Sequence, residues 1–225
     1  MTDKMELDGW GLLYRKGRRA KYPNEMLIRF INKIFPYTED ISRNKIKILD
    51  LGFGTGRHLV YLASEGFNVE GVEISKIGFQ IAKDWLSDLD LIALIQNQSL
   101  MEINLEEQAY DAVLDVACLQ HNNYDQMKVI VDKVYDSLKI GGHFFSYLKS
   151  INDSHRLLGL KISDKTYAYS NIIDKVDAQT IITFTDLDDV KNLFNKFKSV
   201  EIEKEEWTYD GMQKVISHWV ISAKK

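Results

Sequence analysis

The chain has 225 residues, of which 45% are hydrophobic and 28% are charged, and its formal net charge is −4. This length predicts one domain with a short additional segment, the composition excludes a disordered chain, and the negative charge gives no general attraction to nucleic acid. Cys118 is the single cysteine, which excludes an intrachain disulfide and a cysteine-rich metal site, so we expect no bound metal.

The sequence shows neither a membrane span nor a signal peptide. No stretch approaches the ~18 uncharged apolar residues that a membrane-spanning helix needs. The opening residues, MTDKMELDGWG, carry charges where a signal peptide requires an apolar run. We therefore expect a cytoplasmic protein that does not cross a membrane.

Residues 1–44 come before the first predicted strand, and we predict that they form a helical arm that acts as a lid. Five basic residues lie close together in this arm, namely Arg15, Lys16, Arg18, Arg19 and Lys21. A charge run of this kind is usually a solvated surface, which is the interpretation that we favour. The alternative is a movable clamp for an anionic substrate or a nucleic-acid backbone.

Short apolar runs alternate with helical patterns from about residue 46 onwards. Strands are predicted at residues 46–51, 67–74, 91–95, 112–117 and 143–148. Strands that are separated by helices imply right-handed crossovers and a parallel sheet that is covered on both faces. The predicted fold is therefore α/β, a Rossmann-like three-layer sandwich.

The helices between these strands have recognisable ends. Gly66 is predicted to end the first helix, and Ser75 is predicted to cap the start of the second. Ile130, Val134 and Leu138 are spaced by four residues, which predicts a further helix that ends before the glycine pair at 141 and 142.

The end of the chain departs from this alternation. A helix is predicted over residues 187–197, followed by strands at 199–207 and 215–222 with a turn at Asp210 and Gly211 between them. Too little chain remains between these two strands for a crossover helix, so we predict that they pair as an antiparallel hairpin. Residues 45–225 are thus predicted to form one domain on a seven-stranded, mainly parallel sheet with an antiparallel C-terminal hairpin. Residues 150–184 are predicted to be an insertion that covers the crevice beyond the strand ends.

A glycine loop follows the first predicted strand. Gly52, Gly54 and Gly56 permit a tight turn and a close approach of the backbone to a ligand, and Glu73 at the end of the second strand suits the hydroxyls of a ribose. A dinucleotide fingerprint has a longer spacing before its third glycine. Asp50 at the entrance of the loop suits a cation better than a phosphate, so the pattern favours a nucleoside that carries a positive charge.

Four segments carry a family resemblance, namely LDLGFGTGRHLVYLASEGFNVEGVEIS, YDAVLDVACLQH, SLKIGGHFFSYL and ISHWVISAKK. In these segments the sequence resembles the class I S-adenosylmethionine-dependent methyltransferases of the small-molecule type. The resemblance implies that S-adenosyl-L-methionine is the cofactor. The cofactor-binding residues that it implies are Tyr14, Asp50, Gly52, Phe53, Gly54, Gly56, Glu73, Ile74, Ser99, Leu100, Met101 and Ala117.

The resemblance also assigns parts of the cofactor to these residues. The glycine loop would pack against the methionine and ribose portions, with Asp50 near the amino group and Glu73 on the ribose hydroxyls. Ile74 would flank the adenine, and residues 99–101 would meet its amino group, although the acid that is usual there is missing. Ala117 belongs to the segment that borders the transferable methyl group, and Tyr14 with Trp10 resembles an aromatic helix that covers the cofactor.

Two residues near the fourth predicted strand are the candidate catalytic groups. His121 stands where this family often has a histidine, and it either accepts a proton from the substrate or only bonds to the backbone. Asp115 either orients a substrate or a histidine, or forms a hydrogen bond across the crevice. Both pairs of interpretations stay open at this point.

The resemblance implies an enzyme that transfers a methyl group to an oxygen or nitrogen atom of a small-molecule acceptor. The acceptors that we consider include anionic molecules. We expect a monomer or a homodimer without nucleic acid as a partner. The alternatives are a nucleic-acid methyltransferase that uses the basic arm, an oxidoreductase that uses a nicotinamide dinucleotide, and a methyltransferase-like binding module without turnover.

Overall fold

Ten strands form two sheets within the residues that the computed structural model describes, which are 9–38, 42–173 and 176–225. The large sheet contains β1 (Lys47–Leu51), β2 (Asn68–Glu73), β3 (Leu94–Asn97), β4 (Tyr110–Val116), β5 (Leu138–Lys149), β9 (Ser199–Tyr209) and β10 (Lys214–Lys224). The small sheet contains β6 (Leu160–Lys161), β7 (Thr166–Ile173) and β8 (Val176–Thr183). Residues 1–8 and 39–41 of the predicted arm, and 174–175 of the predicted insertion, lie outside the described residues.

The strand order of the large sheet is β3-β2-β1-β4-β5-β10-β9. The strands β1 to β5 are parallel, whereas β10 pairs antiparallel with both β5 and β9. The turn between β9 and β10 contains Asp210 and Gly211, as the sequence predicts. The predicted seven-stranded, mainly parallel sheet with an antiparallel C-terminal hairpin is confirmed.

Helices cover both faces of this sheet. They are α1 (Gly9–Arg15), α2 (Glu25–Ile34), α3 (Arg57–Ser64), α4 (Lys76–Asp88), α5 (Tyr124–Ser137) and α6 (Leu187–Leu193). The helices α2, α3 and α4 share one core with the sheet, and α5 and α6 share another. Alternate residues of β1 and β4 belong to the two cores, so these lie on opposite faces and the predicted three-layer sandwich is confirmed. No helix in the described ranges is long and apolar enough to cross a bilayer.

Several helices begin and end where the sequence supplies the appropriate residue. Ser75 accepts the N–H of Gly78 at 3.3 Å and caps α4, and Asn123 and Gln126 form a reciprocal capping box at the start of α5. Gly66 follows α3 with a φ of +84°, which glycine adopts without steric cost. The caps of α4 and α5 come soon after β2 and β4, so they shape the edge at which the parallel strands end.

The third strand begins later than predicted, at Leu94 and not at residue 91. Leu91 instead closes the end of α4, because its N–H donates to the carbonyl of Leu86 at 2.9 Å and its side chain packs against the core. Asp90, with a φ of +52°, turns the chain between the two. The apolar residue at position 91 therefore marks a helix end, and the predicted strand boundary was wrong.

The fifth strand begins earlier than predicted, because the glycine pair lies inside it. Leu138, which the helical spacing placed in α5, is already the first residue of β5. Gly141 has a φ of +80°, and the register of β5 against β4 shifts between Tyr110 and Ala112. This is the geometry of a β-bulge, so the glycines mark a bulge and not the end of a helix.

The segment predicted as an insertion, residues 150–184, leaves and rejoins the sheet at one point. Ser150 and Thr185 form an isolated parallel bridge, and the N–H of Ile151 donates to the carbonyl of Thr185 at 2.9 Å. A short 3₁₀ turn (Ser154–Leu158) then leads into the antiparallel sheet β6-β7-β8, which the sequence patterns did not predict. The helix α1 packs against β8 and α4, so the N-terminal arm and this segment meet.

A substitution at Gly56 tests how closely α3 packs against α4. It precedes α3 with a φ of +96°, and a Cβ atom there would lie 2.8 Å from the Cβ of Ala82 in α4. We expect Gly56→Ala to lower the free energy of unfolding by about 2–4 kcal/mol, because left-handed strain and overpacking each cost about 1–2 kcal/mol. Urea denaturation followed by circular dichroism measures this change.

Gly66→Ala is the matched control, since Gly66 has a φ of +84° and a Cβ atom there would meet nothing within 4 Å. This variant should lose only the backbone contribution, about 1–2 kcal/mol. Equal losses in the two variants would contradict a tight contact between α3 and α4.

Candidate functional site

A cleft of about 760 Å³ opens at the carboxyl ends of the parallel strands. Its size lies within the ~300–1,000 Å³ that small-molecule sites usually have. The lining comes from the glycine loop, the end of β2, the turn after β4, the arm and the insertion, for example Gly54, Glu73, Ala117, Trp10 and His155. Open α/β sheets hold their ligands at this edge.

The glycine loop leaves space that side chains would fill. Gly52 and Gly54 have φ values of +61° and +60°, which disfavour other residues. A Cβ atom at Gly52 would lie 2.1 Å from the Sγ of Cys118, and one at Gly54 would lie 3.1 Å from the hydroxyl of Tyr14. Phe53, between the two glycines, lines the cleft and packs into the core. The loop thus needs both glycines, and Tyr14 of α1 stands against it.

Glu73 holds the glycine loop in place. One carboxylate oxygen accepts the N–H of Gly54 at 2.8 Å, and the other accepts the N–H of Ser75 at 2.8 Å. The side chain lines the cleft although it is only 4% exposed. A carboxylate offers about four acceptor positions, so a group that braces the loop can also accept from a ligand hydroxyl.

Asp50, at the end of β1, is a buried carboxylate with an unsatisfied oxygen, and it lies behind the cleft lining, to which Gly52 and His58 next to it belong. It is 1% exposed, and its Oδ2 has no hydrogen-bond partner among the described residues. Burial raises the pKa of Asp50 well above its usual value; Arg57 opposes this shift, and Asp115 and Glu73 add to it. A buried oxygen without a hydrogen-bond partner lowers the stability of the protein unless a ligand donates to it. A cationic ligand would also lower the pKa of Asp50 again.

His58 connects this carboxylate to the N-terminal arm. Its Nε2 accepts the backbone N–H of Asn24 at 3.3 Å, so the ring proton lies on Nδ1, which is 3.8 Å from the Oδ2 of Asp50. Burial, with a smaller effect of Arg57, lowers the pKa of His58 well below its usual value, so the ring is neutral. Asn24 also caps α2, and the start of that helix is therefore tied to the floor of the cleft.

His121 lies in the short 3₁₀ turn after β4 and lines the cleft. Its Nδ1 is 2.7 Å from the carbonyl oxygen of Ile181, so this nitrogen is the donor and Nε2 carries the lone pair. The ring of Trp10 meets it edge-on at 4.6 Å. Burial lowers the pKa of His121 to about 4, although its backbone hydrogen bond acts in the opposite direction. The backbone bond and an acceptor nitrogen therefore coexist in one neutral ring.

Asp115, like Asp50, does not itself line the cleft, but both of its carboxylate oxygens have hydrogen-bond partners within the fold, which leaves its role as a catalytic candidate without support. It is fully buried and accepts the N–H of Cys118 at 3.0 Å, the N–H of Leu119 at 2.8 Å and the O–H of Ser146 at 2.6 Å. Burial raises its pKa to about 6, and these three bonds oppose the shift. The geometry fits the alternative interpretation, in which Asp115 forms internal hydrogen bonds that shape the turn after β4.

The end of the cleft beyond β2 contains three of the residues that the family resemblance assigns to the adenine. Ile74, Ser99 and Leu100 all line it, and Ile74 is 58% exposed. Gln98 lines the same end and was not singled out from the sequence. This end therefore offers an apolar side chain together with polar groups, and the assigned roles stay predictions.

Three other predicted cofactor residues have different placements. Ala117 lines the cleft with a φ of +62°, which is rare for a residue other than glycine. Met101 does not line it, because its side chain packs against the core and its carbonyl accepts the ammonium of Lys133 at 2.6 Å. Gly56 is also outside the lining, where it contacts Ala82. Met101 and Gly56 therefore support the site from behind.

The basic run of the arm divides into two parts. Arg18 and Arg19 line the cleft, and the other three members do not. The guanidinium of Arg18 lies 5.5 Å from the ring centre of Trp10, and the Nε of Arg19 donates to the carbonyl of Tyr14 at 3.3 Å. Part of the run is thus an exposed surface, and part places positive charge at the mouth of the cleft.

Several residues that line the cleft have no recognisable signal in the sequence. Lys149 at the end of β5 and His218 in β10 lie opposite each other in the sheet, and both line the cleft. A strand pattern predicts which face a residue occupies, but it does not show where along β10 the edge of the sheet falls. No cluster of three or more metal-ligating side chains occurs in the described part of the chain.

Comparison with known proteins points to one enzyme class. Residues 48–142 match the family described as a methyltransferase domain, and this segment includes the glycine loop, Glu73 and the turn after β4. The ubiquinone biosynthesis O-methyltransferase of Rickettsia typhi is 25% identical to this chain over 195 residues, which cover 82% of this chain and 75% of that protein. Two further relatives of the same name come from other Rickettsia species.

Solved structures share the fold. An S-adenosylmethionine-dependent methyltransferase of Methanosarcina mazei has a TM-score of 0.66 at 18% identity, over 80% of this chain and 92% of that one. The 1,6-didemethyltoxoflavin-N1-methyltransferase of Burkholderia thailandensis has a TM-score of 0.58 at 18% identity, over 80% of this chain and 70% of that one. The latter structure contains 1,6-didemethyltoxoflavin and S-adenosylhomocysteine.

We expect Glu73→Gln to destabilise the protein in the absence of any ligand. The amide nitrogen of glutamine would face the N–H of either Gly54 or Ser75, so one buried donor would lose its acceptor. The loss in free energy of unfolding should be about 1–3 kcal/mol, measured by urea denaturation. Glu102→Gln, at an exposed position, is the control and should change stability by less than about 0.5 kcal/mol. A Glu73→Gln variant as stable as the control would show that Glu73 does not brace the loop.

Proposed function

We propose that the chain is a class I S-adenosylmethionine-dependent methyltransferase, and that it transfers a methyl group to an oxygen atom of a small-molecule acceptor. The observation that carries the proposal is His121, a neutral ring in the cleft whose Nε2 is an acceptor. A hydroxyl acceptor brings a proton that must leave, and a neutral imidazole can take it. The name of the Rickettsia typhi relative, an O-methyltransferase, supports oxygen as the acceptor atom.

The residues around the floor of the cleft fit the cofactor. S-adenosylmethionine supplies a methyl group on a positively charged sulfur, so the group arrives already activated for transfer. The unsatisfied oxygen of Asp50 suits the ammonium group of the methionine portion, because that pairing would satisfy a buried acceptor. Gly52 and Gly54 leave a surface free of side chains, and Glu73 would accept from the ribose hydroxyls.

The arm and the insertion would cover the bound molecules. Trp10 and Tyr14 of α1 and His155 and Ile182 of the insertion all line the cleft. The contact of α1 with β8 joins the two segments into one roof. A roof of this kind holds the acceptor close to the methyl group and keeps water out, and both effects favour methyl transfer.

His121 would take the proton from the acceptor hydroxyl through Nε2. The bond from Nδ1 to the carbonyl of Ile181 fixes the tautomer and the direction of the ring. A pKa of about 4 keeps the ring neutral at pH 7, and it also makes the ring a weak base. The proton would therefore move while the new C–O bond forms, because the acceptor oxygen becomes more acidic as it gains the methyl group.

The charge at the mouth of the cleft supports an acceptor with an anionic group. Arg18, Arg19 and Arg57 all line the cleft. Only two of the five basic residues of the arm take part, which suits a single small anion better than the backbone of a nucleic acid.

Methyl transfer can be measured with S-adenosylmethionine labelled in its methyl group and a set of phenols as acceptors. We expect the wild-type protein to form labelled methyl ethers, which mass spectrometry identifies. His121→Asn should lower kcat by about 100-fold, because asparagine can still donate to the carbonyl of Ile181 but lacks the second ring nitrogen.

Binding of S-adenosylhomocysteine, measured by calorimetry, is the control for this variant and should be unchanged. Turnover of His121→Asn at the wild-type rate would contradict the role of His121 as the base. Wild-type protein that transfers the label only to nitrogen or carbon atoms would contradict the proposed reaction.

A further inference from the structure

Three buried side-chain atoms in the described part of the chain have no hydrogen-bond partner, and one of them belongs to a residue that lines the cleft. They are the Nε of Arg43, the Oδ2 of Asp50 and the Nδ1 of His218. Arg43 forms an ion pair with Glu65 outside the cleft, and Asp50 is assigned to the cofactor. His218 is 6% exposed and lines the cleft. An unsatisfied buried nitrogen costs about 1–3 kcal/mol, so a ligand that satisfies it is a physical explanation for its position.

The charged groups next to His218 already satisfy one another. In the register of the sheet His218 lies between Lys149 of β5 and Glu205 of β9. The ammonium of Lys149 is 2.5 Å from a carboxylate oxygen of Asp153, and Glu205 accepts the hydroxyl of Tyr147 at 2.5 Å. The Nδ1 of His218 therefore has no hydrogen-bond partner among these groups.

Aromatic rings fix the orientation of His218. Its ring stacks on Tyr147 with centroids 4.2 Å apart and an interplanar angle of 17°, and Trp207 lies nearly parallel at 6.1 Å. Burial, with a smaller effect of Lys149, lowers its pKa to about 4, so the ring is neutral at pH 7. A neutral imidazole has one donor and one acceptor nitrogen, which matches a hydroxyl group. A ring that is already fixed loses little freedom when it binds a ligand.

The position of His218 in the sheet indicates the length of what it binds. The strand β10 lies two strands away from β4. Neighbouring strands are ~4.8 Å apart, so His218 lies roughly 10 Å along the edge from the end of β4. Ala117 follows that end directly, and His121 lies in the turn after it; both line the cleft. A molecule about one aromatic ring long, with a polar group at each end, spans this distance. Trp10 and the histidine rings offer the flat surfaces that suit such a ring.

We propose that His218 binds the methyl acceptor, and that the acceptor is a phenol with a second hydroxyl-type group on the side opposite the methylated oxygen. The proposal rests on the proposed methyl transfer, because it takes the methylated oxygen to lie near His121. His218 then determines which phenols the cleft accepts, and it takes no part in proton transfer.

A matched pair of ligands tests this role. The probes are 4-hydroxybenzyl alcohol and 4-ethylphenol, which have nearly the same shape and differ by one hydroxyl group. Their binding to the wild-type protein saturated with S-adenosylhomocysteine is measured by calorimetry or ligand-observed NMR. We expect the alcohol to bind at least about tenfold more tightly, which corresponds to about 1.4 kcal/mol, and His218→Phe to reduce this preference to about twofold or less.

Two variants separate this role from a structural one. His218→Phe keeps an aromatic ring to stack on Tyr147, and its affinity for S-adenosylhomocysteine should be unchanged. His143→Phe replaces a half-buried histidine of β5 that does not line the cleft, and it should keep the wild-type preference. The proposal is overturned if neither probe binds the wild-type complex, if both bind equally, if the preference survives in His218→Phe, or if His143→Phe abolishes it as well.

The test also separates this proposal from the proposed function. The binding measurements use the demethylated cofactor, so they do not depend on turnover. Absence of methyl ether formation together with a preference that depends on His218 would contradict the reaction and leave the acceptor site standing. Methyl ether formation without that preference would support the reaction and contradict the acceptor site at His218.

Discussion

The arrangement of the cleft depends on one carboxylate, Asp50, at the end of the first parallel strand. This carboxylate is buried, and one of its oxygens, Oδ2, has no hydrogen-bond partner among the described residues. The Nδ1 of the neutral His58 ring is 3.8 Å away from this oxygen. Burial makes the charge on this carboxylate unfavourable, so the free protein holds an arrangement that a cation would stabilise. The glycines above it leave room for such a cation, and Glu73 holds their loop in position.

The topology of the sheet places the other groups around this point. The ends of β1, β4 and β5 and the antiparallel strand β10 lie side by side in the sheet. Because β10 runs in the opposite direction, its first half, which contains His218, reaches the edge at which the parallel strands finish. The insertion adds the carbonyl of Ile181, which orients His121. Two neutral histidines on different elements are thus fixed, one by a backbone carbonyl and the other by stacking on Tyr147.

The alternation of strands and helices, the glycine loop and the hairpin could all be predicted, because each depends on a local pattern of apolar residues, glycines and caps. The predictions that the structure does not support concern strand boundaries and one side chain, and these depend on contacts between residues outside the local pattern. Leu91 resembles the start of a strand until its bond to Leu86 is known, and Gly141 resembles a helix end until its bulge against β4 is known. Asp115 looked available for a substrate, but hydrogen bonds within the fold occupy it. The position of His218 at the cleft follows from sheet register, which the sequence alone does not reveal.

The most direct test of this account is the pH dependence of S-adenosylhomocysteine binding, measured by calorimetry in buffers of different ionisation enthalpy. Burial raises the pKa of Asp50 in the free protein, and a bound ammonium group should lower it, so binding should release protons and weaken as the pH falls. Asp50→Asn should bind more weakly and lose this proton release. Binding that is independent of pH in the wild-type protein, and undiminished in Asp50→Asn, would contradict the assignment of Asp50 as the site of the cation.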